Sequence, residues 1–111
     1  FNEDGVDFSL RSHRTSLSAT TKSVQRKYFS GQDLPLTEGI TLGIAQIMES
    51  KTVIVIANGK KKAEIVAEAI LGPVTNRVPA SVLQEHPNCI YLLDDEAASL
   101  LPADLPGLQK I

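Results

Sequence analysis

The sequence predicts an α/β fold built on parallel strands, and three observations carry that prediction. Val53 to Ala57 (VIVIA) and Cys89 to Leu93 (CIYLL) are apolar without alternation, as strands covered on both faces are. A glycine turn and a helical pattern follow the first run, from Asn58 to Leu71. With these included, the elements read helix, strand, helix, short helix, strand, helix, an order that gives parallel strands joined by right-handed crossovers.

In order, Phe1 to Leu10 is polar and bears a glycine, so it reads as a loop, with Asn2, Glu3, Asp4 and Asp7 following no period. His13 to Ser18 suits a short strand. A helix is expected from Ala19 to Phe29, capped by Ser18 or Thr20, with Lys22, Arg26 and Lys27 on its surface. Gly31 and Pro35 make Ser30 to Leu36 a loop. Glu38 to Gly43 leads into a helix ending at Ser50, with Ile44, Ile47 and Met48 as its apolar face. After the strand at 53–57, a helix spans 60–71. Its Ile65, Val66, Ala69 and Ile70 recur at helical spacing, with Glu64 and Glu68 opposite. Gly72-Pro73 ends it, Gly72 in the role of a C′ glycine. Thr75 to Pro79 is irregular, Ala80 to His86 a short helix, and Pro87-Asn88 a turn. Asp94-Asp95-Glu96 then opens a last helix running through Leu101, with acid placed in its first turn. Pro102 to Ile111 is a tail.

The turn after the first buried strand carries the chemical signal. Asn58-Gly59 is the pair that best tolerates positive φ. Lys60, Lys61 and Lys62 follow at the start of the expected helix. Free N–H groups there already carry partial positive charge, so lysine is electrostatically misplaced unless an anion sits at the turn. Each lysine taken singly also reads as a solvated surface charge. For the cluster, at the C-terminal end of a parallel-type strand, a phosphate site is the better reading.

Composition limits the alternatives. The 111 residues suffice for one domain, and 42% hydrophobic content fills a modest core. A net charge of −2 and a pI near 5.6 give no support to nucleic-acid binding. No apolar run has membrane length and no signal peptide is seen, so no membrane role is expected. One cysteine, Cys89, makes a reducing, cytoplasmic location the expectation. The chain begins Phe1-Asn2-Glu3 without methionine, and is read as a piece of something longer.

Six segments in order then suggest a family: FNEDG, Arg14-Thr15, EGITLGIAQIM, ANGKKKAEIV, PASVLQEH and LLDDEAASLLP. Together they resemble the C-terminal half of the glucosamine-6-phosphate deaminases, also called isomerases, to which the galactosamine-6-phosphate deaminases are close. The resemblance runs to Pro102. It implies a parallel-sheet, Rossmann-like three-layer fold, of which residues 1–111 form an incomplete C-terminal portion of a single domain.

Further implications follow residue by residue. The glutamate of the FNE motif, here Glu3, assists sugar-ring opening by supporting a catalytic histidine. The lysine before Ala63-Glu64, here Lys62, binds the substrate phosphate, in agreement with the anion site argued above. The family's phosphate-binding arginine falls on Lys27, a point charge that lacks the bidentate guanidinium fork. Arg26 is its alternative equivalent. The ring-opening histidine that directly precedes FNE in the family has no counterpart here, nor have the isomerisation aspartate and the Ser/Gly-rich phosphate loop further upstream. The implied reaction converts glucosamine 6-phosphate and water to fructose 6-phosphate and ammonia, with no metal or organic cofactor. The implied partner is a small-molecule sugar phosphate, and the site needs the missing N-terminal half or a partner chain, a homo-oligomer being one form of the latter.

The remaining candidates have plainer readings. Glu3 taken alone would be a solvated loop carboxylate. His13 reads as a surface residue beside Arg14, and His86 as closing a short helix before Pro87. Two histidines without cysteine or carboxylate spacing give no metal signal. Cys89 reads as a small buried hydrophobe. Two other functions share the implied fold: a non-catalytic sugar-phosphate sensor of a transcription regulator, and a 6-phosphogluconolactonase-like hydrolase. The FNE motif favours the enzyme over the sensor, and the TLGI and PAS segments count against the lactonase. Two strands apolar on both faces cannot be covered by a two-stranded sheet, so a face or edge is expected to be completed from elsewhere.

Overall fold

The structure, a computed structural model, describes residues 1–25 and 37–110. It divides into two compact units, Phe1–Ser50 with Thr75–Pro79, and Lys51–Val74 with Ala80–Ile111.

In the first unit, β1 (His13–Ser16) pairs antiparallel with β2 (Glu38–Thr41), with His13 opposite Thr41 and Ser16 opposite Glu38. β1 falls within the expected segment. β2 corrects the reading of Glu38 to Gly43 as a mere lead into a helix, and its direction departs from an all-parallel sheet. Its four residues, EGIT, have almost no strand signal of their own. The backbone partner in β1 makes them a strand. α1 (Ala19–Gln25) starts where expected, and Ser18 is its cap, not Thr20, since the Ser18 Oγ accepts the Thr21 N–H at 3.1 Å. The expected course of that helix beyond Gln25, and the loop to Leu36, lie outside the described residues. α2 (Ile44–Glu49) follows Gly43, whose N–H donates to the Gln46 side-chain oxygen at 3.0 Å. Among the described residues, Leu17 and Ile44 are the buried apolar ones of this unit.

In the second unit, β3 (Val53–Ala57) and β4 (Cys89–Leu93) match the expected ranges and pair in parallel, from Val53 opposite Cys89 to Ala57 opposite Leu93. The α/β class with parallel strands therefore holds here. Burial on both faces does not. Side chains alternate between half-buried and exposed along both strands. Ile54 (56% exposed) faces Ile90 (44%), and Ile56 (76%) faces Leu92 (46%). These four side chains form one bare apolar face, because successive residues of a strand point to opposite sides.

The expected helix at 60–71 is two elements: a 3-10 turn, Lys60–Lys62, and α3 (Ala63–Leu71). α3 buries Ala63, Val66 and Ala69, while Ile65 of the expected apolar face is exposed. Gly72 ends α3 in extended backbone, φ −82°, not in the left-handed C′ conformation expected of it. It is glycine for room: a Cβ there would lie 2.6 Å from the Glu68 carbonyl oxygen, which the Gly72 N–H needs as acceptor at 2.9 Å. The short helix near 80–86 is a 3-10 helix, Pro79–Glu85.

No final helix forms at 94–101; Asp95 to Leu100 run as turns. The Ala98 N–H reaches the Asp94 carbonyl, but Ser99 and Leu101 bond three residues back, to Glu96 and Ala98. Pro102 lacks the N–H that would continue a helix and disfavours helical backbone before it. Among the described residues, the buried apolar ones of this unit are Ala63, Val66, Ala69, Val82, Leu83 and Ala97.

Candidate functional site

Glu3 and Lys62, the two candidate residues among those described, belong to the first and second units respectively. Arg26 and Lys27 lie outside the described residues.

Glu3 is not a free loop carboxylate. It sits in a turn closed by the Val6 N–H donating to the Glu3 carbonyl at 3.1 Å. Its Oε1 accepts the Thr21 hydroxyl at 2.7 Å and, more weakly, the Ser18 N–H at 3.4 Å. The Ser18 hydroxyl in turn donates to Thr21 Oγ1 at 3.0 Å. The Thr21 hydroxyl bond holds the Glu3 carboxyl below its ordinary value of 4.5, with partial burial acting the other way. Among the described residues Oε2 accepts no hydrogen bond. One carboxylate oxygen is thus fixed while the other stays available to a further donor. The neighbouring Asn2 is also tied down, its Nδ2 donating to the Leu42 carbonyl at 2.9 Å.

Two further described side chains of the first unit have local partners. Arg14 of the Arg14-Thr15 motif pairs with Glu38 at 2.8 Å across the β1–β2 ribbon, with both side chains exposed. Such pairs contribute about 0–1 kcal/mol. His13 is half-buried, which corrects its reading as a surface residue. Its Nδ1 lies 2.7 Å from the Arg11 carbonyl, and a carbonyl only accepts, so Nδ1 carries the proton.

In the second unit, the parallel register brings the ends of β3 and β4 side by side, Ala57 opposite Leu93. The turn after each strand therefore leaves the same end of the sheet. Gly59 takes φ +90°, ψ 154°, a conformation closed to side-chain-bearing residues. Its N–H donates to both carboxylate oxygens of Asp94, at 3.0 and 3.1 Å. Asp94 Oδ1 also accepts the Ala97 N–H at 2.8 Å. Asp94 read from sequence is a helix opener; in the structure it clamps the turn in front of the lysines. The amide at this turn therefore already has an internal anion, the Asp94 carboxylate, as its partner.

Lys60, Lys61 and Lys62 are exposed on the 3-10 turn, with the Lys62 N–H bonded to the Gly59 carbonyl at 3.1 Å. Among the described residues no carboxylate forms an ion pair with any of them. An incoming anion would meet ammonium groups, since the Gly59 amide is already occupied. His86 is buried, and its Nδ1 accepts the Asn88 N–H at 3.0 Å, which fixes the turn before β4. Burial raises the Cys89 thiol above its ordinary value and pushes the Tyr91 hydroxyl up to about 12, so neither ionises near neutral pH. Among the described residues no cluster of three or more His, Cys, Asp or Glu has metal-binding geometry, and no helix is long and apolar enough to cross a membrane.

Neither the partners Thr21 and Ser18 of Glu3 nor the Asp94 clamp is legible in the sequence. The one local signal is the Ser18-x-x-Thr21 spacing, which reads only as a cap.

No protein-family model matches the chain. Curated relatives do. Glucosamine-6-phosphate deaminase of Streptococcus uberis is 44% identical over 101 residues, covering 91% of this chain and 43% of that protein. The deaminase of Exiguobacterium sibiricum is 41% identical over 102 residues, with 91% and 40% covered, and that of Oenococcus oeni 43% identical over 101 residues, with 91% and 43% covered. Among solved structures, a monomeric glucosamine-6-phosphate deaminase of the NagB superfamily superposes with a TM-score of 0.82 at 37% identity, covering 90% of this chain and 42% of its own. The family resemblance read from the six segments is thus upheld, fold included: over nine-tenths of its length the chain is similar to glucosamine-6-phosphate deaminases, and it spans about two fifths of their length.

Proposed function

We propose that this chain is the part of an amino-sugar-phosphate deaminase that contributes Glu3 and the Lys62 turn to the site. The observation that carries the reading is 40–44% identity to proteins named for that activity, together with a fold match at TM-score 0.82. The reaction would open the ring of glucosamine 6-phosphate, move the C2 proton to C1, and hydrolyse the resulting imine to fructose 6-phosphate and ammonia. These proton transfers are general acid–base steps, each positioned group worth roughly 10²–10⁴-fold.

In this reading Glu3 is the carboxylate that supports the ring-opening histidine, and an ionised acceptor with one open oxygen suits that task. Lys62 binds the phosphate, joined by Arg26 or Lys27. Phosphate binding supplies positioning remote from the reacting carbons. The ring-opening histidine and the isomerisation base would come from residues outside this chain, so it needs the complementary portion or a partner chain and has no turnover by itself. A cytoplasmic location, no cofactor and no nucleic-acid partner complete the reading. Neither the sensor nor the lactonase alternative has support of this kind.

The test is ammonia release from glucosamine 6-phosphate by the full-length protein, measured beside galactosamine 6-phosphate and 6-phosphogluconolactone. Binding of the sugar phosphate without ammonia release would sink the deaminase reading in favour of the sensor.

A further inference from the structure

We propose that Thr21 is the positioning residue of the Glu3 carboxylate, its hydroxyl pinning Oε1 so that Oε2 alone faces the ring-opening partner. The proposal rests on the deaminase reading and adds to it a residue that no sequence motif marks.

The geometry makes a chain of donors with one direction. The Thr21 N–H donates to Ser18 Oγ at 3.1 Å, the Ser18 hydroxyl to Thr21 Oγ1 at 3.0 Å, and the Thr21 hydroxyl to Glu3 Oε1 at 2.7 Å. Ser18 Oγ has one hydrogen. The capping bond takes a lone pair, so that hydrogen is free to point at Thr21. Thr21 Oγ1 accepts it and has a single hydrogen left for Glu3. Each bond polarises the next, and the last ends on a charge, so it is the strongest of the three. The first link is the cap of α1 itself, and the Ser18 N–H adds a second, longer bond to Oε1 at 3.4 Å. The carboxylate is therefore referenced to the start of α1, across 18 residues of sequence.

Fixing one oxygen has a chemical consequence. A glutamate has several rotamers, and a carboxylate that turns freely offers a histidine either oxygen over a range of angles. Pinning Oε1 removes that freedom before substrate binds, and preorganised acceptors need no reorganisation at the moment of reaction. Other charged groups surround Glu3. Asp4 and Asp7 share its hollow with His13 and Arg14. None of these is hydrogen-bonded to either Glu3 oxygen, so the short Thr21 hydroxyl bond, with the longer Ser18 N–H bond beside it on Oε1, sets the direction.

The experiment uses the full-length protein with Thr21→Val, which keeps shape and N–H but loses the hydroxyl, and Thr21→Ser, which restores it. Deaminase kinetics are read together with the Glu3 carboxyl titration followed by carbon-13 NMR. We expect Thr21→Val to lower kcat about tenfold with KM held, to move the Glu3 titration up, and Thr21→Ser to recover most of both. Wild-type kcat in Thr21→Val would overturn the positioning role and leave the deaminase reading standing. A joint loss in kcat, KM and Tm that serine does not recover would mean a merely structural residue and would also overturn it. An inactive wild-type protein would overturn the deaminase reading and the catalytic use of Glu3, whereas a titration still moved by Thr21→Val would uphold the pinning of the carboxylate.

Discussion

The Asp94 carboxylate holds the Gly59 N–H through both of its oxygens, and so ties the turn after one parallel strand to the turn after its neighbour. Parallel pairing puts both turns at one end of the sheet, and the lysine turn begins at the next residue. Asp94→Ala removes a charge-assisted acceptor from Gly59 and Ala97 and should cost about 1–2 kcal/mol, read by urea denaturation. If Lys62 binds phosphate, the same change should also raise KM for the phosphosugar, because the turn carrying Lys62 loses its clamp. A variant with unchanged stability would show that the contact contributes nothing.

Gly59→Ala tests the backbone of the same turn. A Cβ there would meet nothing within 4 Å, so the only penalty is conformational. At φ +90° with ψ 154° that penalty should be about 1–3 kcal/mol. A loss under a few tenths would mean that the turn relaxes to negative φ, which loss of the Asp94 contact by NMR would detect.

Lys62→Ala in the full-length protein should mainly raise KM, if phosphate binding is equal in ground and transition states. Lys60→Ala and Lys61→Ala should matter much less. An unchanged KM with the phosphorylated substrate would remove Lys62 from the site.

Glu3 couples stability to pH. Its carboxyl lies below the ordinary 4.5, chiefly through the Thr21 hydroxyl. A group depressed in the folded state contributes stability that is whole above its unfolded value and is lost as pH falls through the folded one. Thr21→Val should therefore lower stability near neutral pH and become indistinguishable from wild type below both values. A stability difference that persists at acid pH would assign the loss to packing.

The 111-residue chain alone should release no ammonia from glucosamine 6-phosphate, and should bind hydrophobic dyes or aggregate through Ile54, Ile56, Ile90 and Leu92. Changing Ile56 and Leu92 to serine should reduce dye binding by the isolated chain. In the full-length protein the same pair should cost stability, provided another segment covers that face. A monodisperse chain with a sharp thermal transition and no dye binding would show that the face is harmless in water.

What the sequence determined by itself is whatever is written locally. The runs VIVIA and CIYLL set β3 and β4 to the residue, since few structures accommodate five apolar residues between turn signals. Ser18 announced α1, and Asn58-Gly59 announced the turn before the lysines. The six family segments carried the resemblance because their order survives where single motifs are weak. Tertiary structure decided what depends on distant partners. β2 is a strand because β1 offers it a ladder, and Glu38 to Thr41 hold no period that says so. Asp94 clamps Gly59 from 35 residues away while its Oδ1 still accepts the Ala97 N–H three residues on, a double role that no local pattern states. Thr21 reaches Glu3 only once the first loop folds back on α1. The bare face of β3 and β4 was hidden for the same reason: an apolar run states that a strand is suited to cover on both sides, and only the surrounding chain decides whether that cover is present.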